Sequence, residues 1–250
     1  MKPHYKFFLV PVLFLSMVFA VSAQDEVSQR EVIALLELQD RTKGHQWKHK
    51  WDRNIPMSQW HGVTIKNGKL VGLDLSNNNL QGRIPLTIGN LKHLEYLNLS
   101  NNNIKGKMPR LFRKLKDLKT MNFAGNQLKG KLPRTIFRLQ NLRELDVANN
   151  NLEGELPATL ITLSKLTTLA VANNDFEGTM PQGMERMRGL KRLYIGNNQF
   201  TNLDNLKVLA AQQLVLTDID VNSPDFKPLD FTGSAEGLSK LEFEDDNDDD

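Results

Sequence analysis

A 24-residue repeat constrains the fold of this 250-residue chain more than any other feature of its sequence. Each repeat begins with a leucine, and apolar residues follow three and five positions later, as in Leu70, Leu73 and Leu75. The first of these leucines recurs at Leu70, Leu94, Leu118, Leu142, Leu166 and Leu190. A unit of this size cannot bury its apolar face alone, so consecutive units must stack and share a core.

Each repeat also carries an asparagine at one fixed position. These residues are Asn78, Asn102, Asn126, Asn150, Asn174 and Asn198. Apolar residues two apart, such as Leu73 and Leu75, point to the same face of a strand. The asparagine comes three residues after the second of them, where the chain is predicted to turn out of the strand. Because its amide both donates and accepts, stacked asparagines are predicted to satisfy buried backbone groups of adjacent units. Ile88 and Leu91 are predicted to close the core from the convex side.

A Gly-x-apolar-Pro segment follows five of the asparagines, at residues 82–85, 106–109, 130–133, 154–157 and 178–181. Glycine permits a tight backbone there, and proline fixes φ on the side away from the strands. With these segments, residues 70–220 resemble the leucine-rich-repeat family in its plant-type form. The resemblance implies an α/β repeat solenoid, a right-handed horseshoe with a parallel sheet on its concave face. Seven stacked strands would span roughly 30 Å at the usual strand spacing.

The segment before the repeats, residues 24–69, is predicted to be an N-terminal cap. Ser28 and Glu31 form a capping box at the start of a helix that ends near residues 43–44. Three tryptophans and an Asn67-Gly68 hairpin turn follow. The sequence Trp-His-Gly-Val at residues 60–63 resembles the cap of plant-type repeats, but no cysteine pair joins it, since the chain has no cysteine. A bacterial or protist origin would fit this difference.

The repeat pattern weakens at the other end of the solenoid, which we place at residues 70–222. The sixth unit has Asn202 and Asn205 where earlier units have glycine and proline. A seventh strand is predicted from Leu214, 24 residues after Leu190. Residues 223–250 are irregular and finally almost wholly acidic, and such segments repel themselves and are usually disordered.

Residues 1–23 are predicted to be a secretory signal peptide. A basic start is followed by an apolar run over residues 7–21 and by the small-residue cleavage pattern Val21-Ser22-Ala23. The alternative is a membrane anchor, for which the run is short. We therefore expect a secreted or extracellular protein, or a periplasmic one in a Gram-negative bacterium. Without Lys2 and Lys6 the formal charge falls from +3 to +1, which gives no support to nucleic-acid binding.

The side chains between the core residues of the concave strands form the predicted recognition surface. Gly72, Asp74, Thr168 and Ala170 share this exposure. The residues that we select as candidate ligand-binding residues are Tyr96, Asn98, Lys119, Thr120, Asn122, Arg143, Glu144, Asp146, Arg192 and Tyr194. Tyrosine and arginine are enriched at interface hot spots. The alternative is that all of these residues are only solvated strand positions.

Other features of the sequence point away from catalysis. No nucleophile elbow, phosphate loop or metalloprotease helix is present, and the acids and bases follow the repeat lattice, so we predict no enzyme and no cofactor. His45 and His49 lie four apart, but no carboxylate or cysteine completes a metal set, and cap packing is the simpler interpretation.

Twelve basic residues crowd residues 105–143, where Asp117 is the only acid. They could form a solubilising surface or bind a polyanion.

The leading hypothesis is a secreted, non-catalytic recognition module that binds a protein, peptide or glycan on its concave face. One alternative is an inhibitor of secreted carbohydrate-degrading enzymes, because some plant-type repeat proteins act in this way. The other is an adhesion protein that binds a cell surface or matrix through the basic convex patch. Nucleic acid is not expected as a partner, and no later segment approaches the length of a membrane span.

Overall fold

The computed structural model describes residues 27–202, residue 206 and residues 215–217. The predicted signal peptide and the predicted acidic tail lie outside the described residues. The helices of the described part are the α-helix α1 (Gln29–Arg41) and short 3₁₀ helices at Gly44–Gln46, Met57–Gln59, Leu86–Asn90, Arg110–Lys114, Ile136–Arg138, Ala158–Thr162 and Met184–Arg186. Its strands are, in chain order, β1 (Val63–Lys66), β2 (Lys69–Asp74), β3 (Gln81–Gly82), β4 (Tyr96–Asn98), β5 (Asn103–Gly106), β6 (Thr120–Asn122), β7 (Gln127–Gly130), β8 (Glu144–Asp146), β9 (Asn151–Glu155), β10 (Thr168–Ala170), β11 (Asp175–Thr179), β12 (Arg192–Tyr194), β13 (Gln199–Asn202) and β14 (Val215–Thr217).

The concave sheet contains eight strands in the order β1-β2-β4-β6-β8-β10-β12-β14. The strands from β2 to β12 are parallel and pair at the 24-residue offset of the sequence, so that Leu73 lies beside Leu97 and Leu97 beside Met121. Strand β1 pairs with β2 in the antiparallel direction. The two strands are joined by Asn67 and Gly68, whose φ values of 48° and 65° are those of a type I′ hairpin turn. The predicted hairpin and parallel concave sheet are confirmed.

The last strand differs from the prediction in register. Leu193 of β12 pairs with Leu216 of β14, which is an offset of 23 residues and not the expected 24. The strand therefore begins at Val215, and the prediction of a 24-residue unit starting at Leu214 was wrong by one residue. The glycine and proline of earlier units are absent here, so the features that hold those units at constant length are missing.

A second parallel sheet lies on the flank of the solenoid, in the order β13-β11-β9-β7-β5-β3. The sequence did not predict this flank sheet, because the glycine segments were assigned to the side without strands. Strands β5 and β7 each end at a glycine with positive φ, 90° at Gly106 and 80° at Gly130. Glycine adopts this conformation without strain, so it allows the chain to turn directly from the flank strand towards the proline.

Side chains from both faces fill the core between the sheets. Leu73 and Leu75 are fully buried from the concave side. Ile88 and Leu91 are fully buried from the convex side, as predicted. The 3₁₀ helices of successive repeats stack on that side, and α1 packs against Leu86–Asn90 of the first repeat. A solenoid exposes its core at a terminal repeat unless another element covers it, so α1 acts as the N-terminal cover.

The asparagines form the continuous ladder that the sequence predicts. Asn102 Nδ2 donates to the carbonyls of Leu75 and Leu99 at 2.8 and 3.0 Å. Its Oδ1 accepts from the backbone N–H groups of Asn78 and Leu80 at 3.0 and 2.9 Å. The donor pattern recurs at Asn126, Asn150, Asn174 and Asn198. Each amide thus joins two consecutive repeats and satisfies backbone groups that the core would otherwise leave unpaired.

The helix of the cap begins as predicted. Ser28 Oγ accepts from the backbone N–H of Glu31, and the Glu31 carboxylate accepts from the Ser28 N–H at 3.0 Å. Both bonds of a capping box are therefore present. Helix α1 ends at Arg41, and Lys43 follows with a φ of 55°, which stops the helix close to the predicted point.

The tryptophans of the cap pack as a buried cluster. Trp47 and Trp51 meet edge to face with their ring centroids 4.9 Å apart, and Trp51 stacks on Trp60 at 4.8 Å. Each indole N–H donates to a backbone carbonyl, at 3.0, 2.8 and 2.8 Å respectively. Burial of tryptophan is unfavourable unless its indole N–H has a hydrogen-bond partner. These three bonds therefore allow the cluster to be buried without an unsatisfied N–H.

Candidate functional site

Three columns of residues run along the concave sheet, one residue per repeat in each. The first column is Gly72, Tyr96, Thr120, Glu144, Thr168 and Arg192, in strand register. The second column is Asp74, Asn98, Asn122, Asp146, Ala170 and Tyr194, in the same register. The third column, two residues further on, is Ser76, Ser100, Ala124, Ala148, Ala172 and Gly196. The three columns define the surface that a concave ligand would meet.

The first four residues of the second column share one local turn. The side-chain Oδ1 of Asp74, Asn98, Asn122 and Asp146 accepts from the backbone N–H two residues later, at 2.9–3.1 Å. This is an Asx turn, which aspartate and asparagine make equally well because only one side-chain oxygen is needed. The turn leaves the other oxygen or the amide of each side chain for a second interaction.

Near the N-terminal cap, that second interaction is internal. Asp74 Oδ2 accepts from the Tyr96 hydroxyl and from Asn98 Nδ2, both at 3.2 Å. Burial opposes ionisation of Asp74, but hydrogen bonds from Ser76, Asn98 and Tyr96 outweigh it and hold the pKa of Asp74 below its ordinary value. Asp74, Tyr96 and Asn98 therefore form a cluster that satisfies itself, which we call the Asp74 cluster.

Further along the sheet the columns open into a groove with a volume of about 400 Å³. Six of the predicted residues line it, namely Thr120, Asn122, Glu144, Asp146, Arg192 and Tyr194. Thr168 and Ala170, which belong to the predicted recognition surface, also line it. The other lining residues were not predicted, and these are Met121, Ala148, Asn149, Ala172 and Asn173. The groove spans strands β6 to β12 and is the largest concentration of the predicted residues that the structure brings together.

Small residues give the groove its depth. Ala148, Ala170 and Ala172 form a separate apolar cluster, against which Ala124 and the Tyr194 ring pack. Serines or glycine take the third-column place outside repeats three to five, so the alanine run marks the groove in the sequence. The 24-residue spacing alone would have identified this signal, because it places Ala124, Ala148 and Ala172 side by side.

Two carboxylates lie on one side of the alanine floor. Asp146 is half-buried, and this burial raises its pKa, while the hydrogen bond from the Ala148 N–H at 3.0 Å opposes the rise. Glu144 accepts from the Thr120 hydroxyl at 3.4 Å. On the opposite side, Arg192 Nε donates to the Thr168 hydroxyl at 3.2 Å. The groove thus combines negative charge, an apolar floor and an aromatic ring.

The remaining two predicted residues lie at the edge of the concave sheet. Lys119 and Arg143 are exposed and do not line the groove. Lys119 Nζ forms an ion pair with Glu95 at 2.6 Å, and this hydrogen bond lowers the pKa of Glu95. The ten residues predicted as one surface therefore divide into the Asp74 cluster, the groove and this edge.

The cationic residues of the early repeats are distributed over two surfaces. Arg110, Arg113 and Lys114 belong to a convex 3₁₀ helix, whereas Lys105 and Lys129 lie on strands β5 and β7 of the flank sheet. We define the basic flank as Arg83, Lys105, Lys107, Lys129 and Lys131. In the described part of the chain, none of these five pairs with a carboxylate. Lys105 and Lys129 thus belong to the flank sheet, which the sequence did not predict.

The cap histidines do not gather into a metal centre. The His49 and His61 rings stack with their centroids 4.2 Å apart. Burial lowers the pKa of His61, His49 lowers it further, and Asp74 opposes both effects. Among residues 27–202, no group of three or more histidines and carboxylates is placed to bind a metal. No helix in the same described part is long and apolar enough to cross a membrane.

Sequence comparison identifies the repeats independently of the geometry. The family model for leucine rich repeats matches residues 68–128 and 108–152. Receptor-like protein 36 of Arabidopsis thaliana is 45% identical over 64 residues, which make up 26% of this chain. The match spans only 8% of that receptor-like protein, so it concerns the repeats and not the whole protein.

Solved structures show the same architecture over most of the chain. A plant ice-binding protein superposes with a TM-score of 0.71 and 26% identity, covering 78% of this chain and 64% of that one. The Arabidopsis receptor kinase HAESA, solved with the peptide hormone IDA and the co-receptor SERK1, gives a TM-score of 0.68 and 25% identity. That alignment covers 77% of this chain and 33% of the HAESA chain. Together with the two parallel sheets and the asparagine ladder, these matches show that the chain folds as a leucine-rich-repeat solenoid with plant-type repeats.

Proposed function

We propose that this protein is a secreted, non-catalytic recognition module whose groove binds a protein, peptide or glycan. The observation that carries the proposal is the groove itself, where six of the ten predicted residues meet around an alanine floor. Ala170 of this floor takes a place in the second column where the other five repeats have aspartate, asparagine or tyrosine, so the fold does not require a small residue there. Small residues there create space for a ligand group.

The chemistry of the groove favours binding over turnover. Its polar groups line a strip along the repeats, with Thr120 and Glu144 on one side and Thr168 and Arg192 on the other. These groups are held by neighbouring repeats in strand register, which keeps them in place before a ligand arrives. Pre-organised side chains cost less conformational entropy on binding.

A peptide ligand has the strongest support among the three classes. HAESA, with which this chain shares its fold, was solved with a peptide hormone. An extended peptide lying across the concave strands would present alternate side chains to the groove, one of which could enter the space above the alanine floor.

The proposal can be tested by capture and by a matched pair of variants. The chain from Gln24 onwards is immobilised and exposed to the secreted proteins of its source and to peptide and glycan arrays. The groove variant Arg192→Ala/Tyr194→Ala should lose the ligand, and the flank variant Lys105→Ala/Lys129→Ala should keep it. Retention by the groove variant and loss by the flank variant would contradict the proposal. A captured hydrolase that loses activity would identify the function as enzyme inhibition.

The basic flank supports a second candidate function, adhesion to an acidic polysaccharide. The five cations are all exposed, and they follow the strands of a regular sheet. A Cβ at Gly154 would lie only 2.9 Å from Lys131 Cε, so glycine leaves room for the lysine side chain to lie along the flank. Binding of this kind weakens steeply with salt. Binding to a polyanion array that disappears in the flank variant and in moderate salt would favour adhesion over groove recognition.

A further inference from the structure

We propose that the groove accepts an arginine side chain of the ligand, with Asp146 and Glu144 receiving the guanidinium group and the Tyr194 ring covering its face. This inference rests on the proposed function, because it names the chemistry of the ligand that would occupy the same groove.

The space for such a side chain lies between two larger residues of the second column. Asp146 and Tyr194 are separated by one strand, on which the column residue is Ala170. Adjacent parallel strands lie about 4.8 Å apart, so the Asp146 and Tyr194 backbones are separated by about 10 Å. The alanine between them leaves a slot with an apolar floor. The slot has a carboxylate wall at one end and an aromatic wall at the other.

The chain provides an internal comparison for Asp146. Asp74 occupies the same column and makes the same turn, and its second oxygen accepts from Tyr96 and Asn98. Among the described residues, no group donates to the second oxygen of Asp146. The neighbour of Asp146 towards the C-terminal end is Ala170, which has no donor, whereas Asp74 has Asn98 in that place. Asp146 is thus a half-buried carboxylate with one oxygen directed to no protein partner.

The charges around the slot favour a cation. Glu144 and Asp146 contribute two negative charges, against the single positive charge of Arg192. The Arg192 side chain is exposed at the rim, and its Nε already donates to Thr168. A cation placed above Ala170 would contact both carboxylates, and it would remove the cost of leaving Asp146 ionised without a partner.

Arginine fits the walls of the slot better than lysine does. Its planar guanidinium can donate two parallel hydrogen bonds to one carboxylate, and it stacks on aromatic rings. It is also more weakly hydrated than an ammonium group, so it loses less on entering a partly enclosed site. The aliphatic part of the side chain would lie beside Ala170 and Ala172, which both line the groove. Tyr194 would supply the cation–π contact.

The first experiment uses a minimal probe of this chemistry. Nα-acetyl-arginine N-methylamide is titrated into the ¹⁵N-labelled protein beside the matching lysine, leucine and glutamate derivatives. We expect saturable shifts of the backbone resonances of Ala148, Ala170 and Ala172 with the arginine derivative. The affinity order should be arginine, then lysine, then leucine and glutamate.

Two isosteric variants locate the contact. Asp146→Asn should weaken binding of the arginine derivative by about tenfold, because it replaces a charge-assisted hydrogen bond with a neutral one. The matched control Asp74→Asn, in the same column but in the Asp74 cluster, should leave the affinity unchanged. Asp146→Asn is expected to fold, since Asn98 and Asn122 make the same turn in two earlier repeats. Its amide spectrum outside the groove verifies this.

The outcomes separate this inference from the proposed function. No saturable shift with the arginine derivative, or equal binding by Asp146→Asn, would overturn the arginine assignment. Tighter binding of the glutamate derivative, lost in Arg192→Ala, would overturn it in favour of an anionic group. In both cases the proposed function stands if the captured ligand is still lost in Arg192→Ala/Tyr194→Ala. If that double variant retains the captured ligand, the groove is not the binding site and the proposed function itself fails.

Discussion

Replacement of Asn150 by alanine should test the asparagine ladder at the centre of the solenoid. Asn150 Nδ2 donates to the carbonyls of Phe123 and Val147 at 3.0 and 3.1 Å. Its Oδ1 accepts from the backbone N–H of Leu128 at 3.0 Å. Asn150 is buried, so water cannot readily replace these partners in the folded state.

The cost follows from which groups lose their only partner. The Phe123 carbonyl would keep its bond from Asn126 Nδ2, and the Val147 carbonyl would keep its bond from Asn174 Nδ2. The Leu128 N–H has a single hydrogen to donate and would be left without an acceptor. A buried unsatisfied N–H costs about 1–3 kcal/mol, and each lost bond with a surviving alternative costs about 0.5–1.5 kcal/mol. We therefore expect the free energy of unfolding to fall by roughly 2–6 kcal/mol.

The measurement is urea denaturation followed by circular dichroism, with Asn151→Ala as the control. Asn151 is the next residue, is exposed on strand β9, and makes no side-chain hydrogen bond in the described part of the chain. Its replacement should change stability by less than about 0.5 kcal/mol. The melting temperature of Asn150→Ala should fall by roughly 4–24 °C. If the two variants unfold within about 0.5 kcal/mol of each other, the asparagine ladder does not stabilise the solenoid.

Single side-chain and backbone contacts at Asp146, Gly62 and Trp47 can each be tested by one substitution. Asp146→Asn should stabilise the protein near neutral pH, because burial raises the folded-state pKa of Asp146 and so opposes its ionisation. This destabilisation of the wild type is absent below the unfolded pKa of about 3.9 and develops as pH rises through the folded pKa. Urea denaturation at pH 3.5 and pH 7 should therefore show a higher free energy of unfolding for the variant only at pH 7. Gly62→Ala should destabilise the cap by about 3 kcal/mol or more, because a Cβ there would lie 1.8 Å from the Asp74 carbonyl oxygen at a φ of +77°. In the control Gly189→Ala the added Cβ meets only ordinary contacts at 3.5 Å, so this variant should lose far less stability in the same assay. Trp47→Phe should cost about 1–3 kcal/mol through a lost indole hydrogen bond and a cavity, measured by loss of helix α1 protection in hydrogen exchange; unchanged protection would contradict a packing role.

The periodic part of this fold could be predicted from sequence because each column has one physical task. Leucines at fixed spacing require a shared core, and the pairing of Leu73 with Leu97 follows from the 24-residue offset. The asparagine column could be interpreted in the same way, since few side chains donate and accept at a buried turn. Local rules also sufficed for the capping box at Ser28 and for the Asn67-Gly68 turn.

The flank sheet could not be predicted by the same reasoning. Strand β5 consists of Asn-Ile-Lys-Gly, and three of these four residue types are uncommon in strands. Its conformation arises because identical turns of adjacent repeats lie at hydrogen-bonding distance, which is a tertiary effect. The register of β14 also depends on tertiary contacts, because the residues that fix the length of earlier units are absent from that unit.

The candidate site was predicted in part, because exposure on a strand does not show what a side chain touches. Tyr96 was selected as a candidate ligand-binding residue, but its hydroxyl donates to Asp74. Lys119 was selected as a cation of the concave face, but it pairs with Glu95. Both partners lie at the same or a neighbouring column position one repeat earlier. A comparison of the columns across repeats, at the 24-residue offset, would therefore have identified these partners from the sequence.

Asp146 shows how stability and binding can be separated in this protein. Asn122, one repeat earlier in the same column, makes the same turn without a charge. The carboxylate of Asp146 therefore contributes nothing to the turn that an amide would not, and its burial opposes ionisation. A residue that lowers stability and contributes nothing to the structure in exchange is characteristic of functional sites. If Asp146→Asn gains stability and loses the arginine probe, the charge serves recognition. If it gains stability and keeps the probe, the charge of Asp146 does not serve recognition and the arginine assignment is wrong.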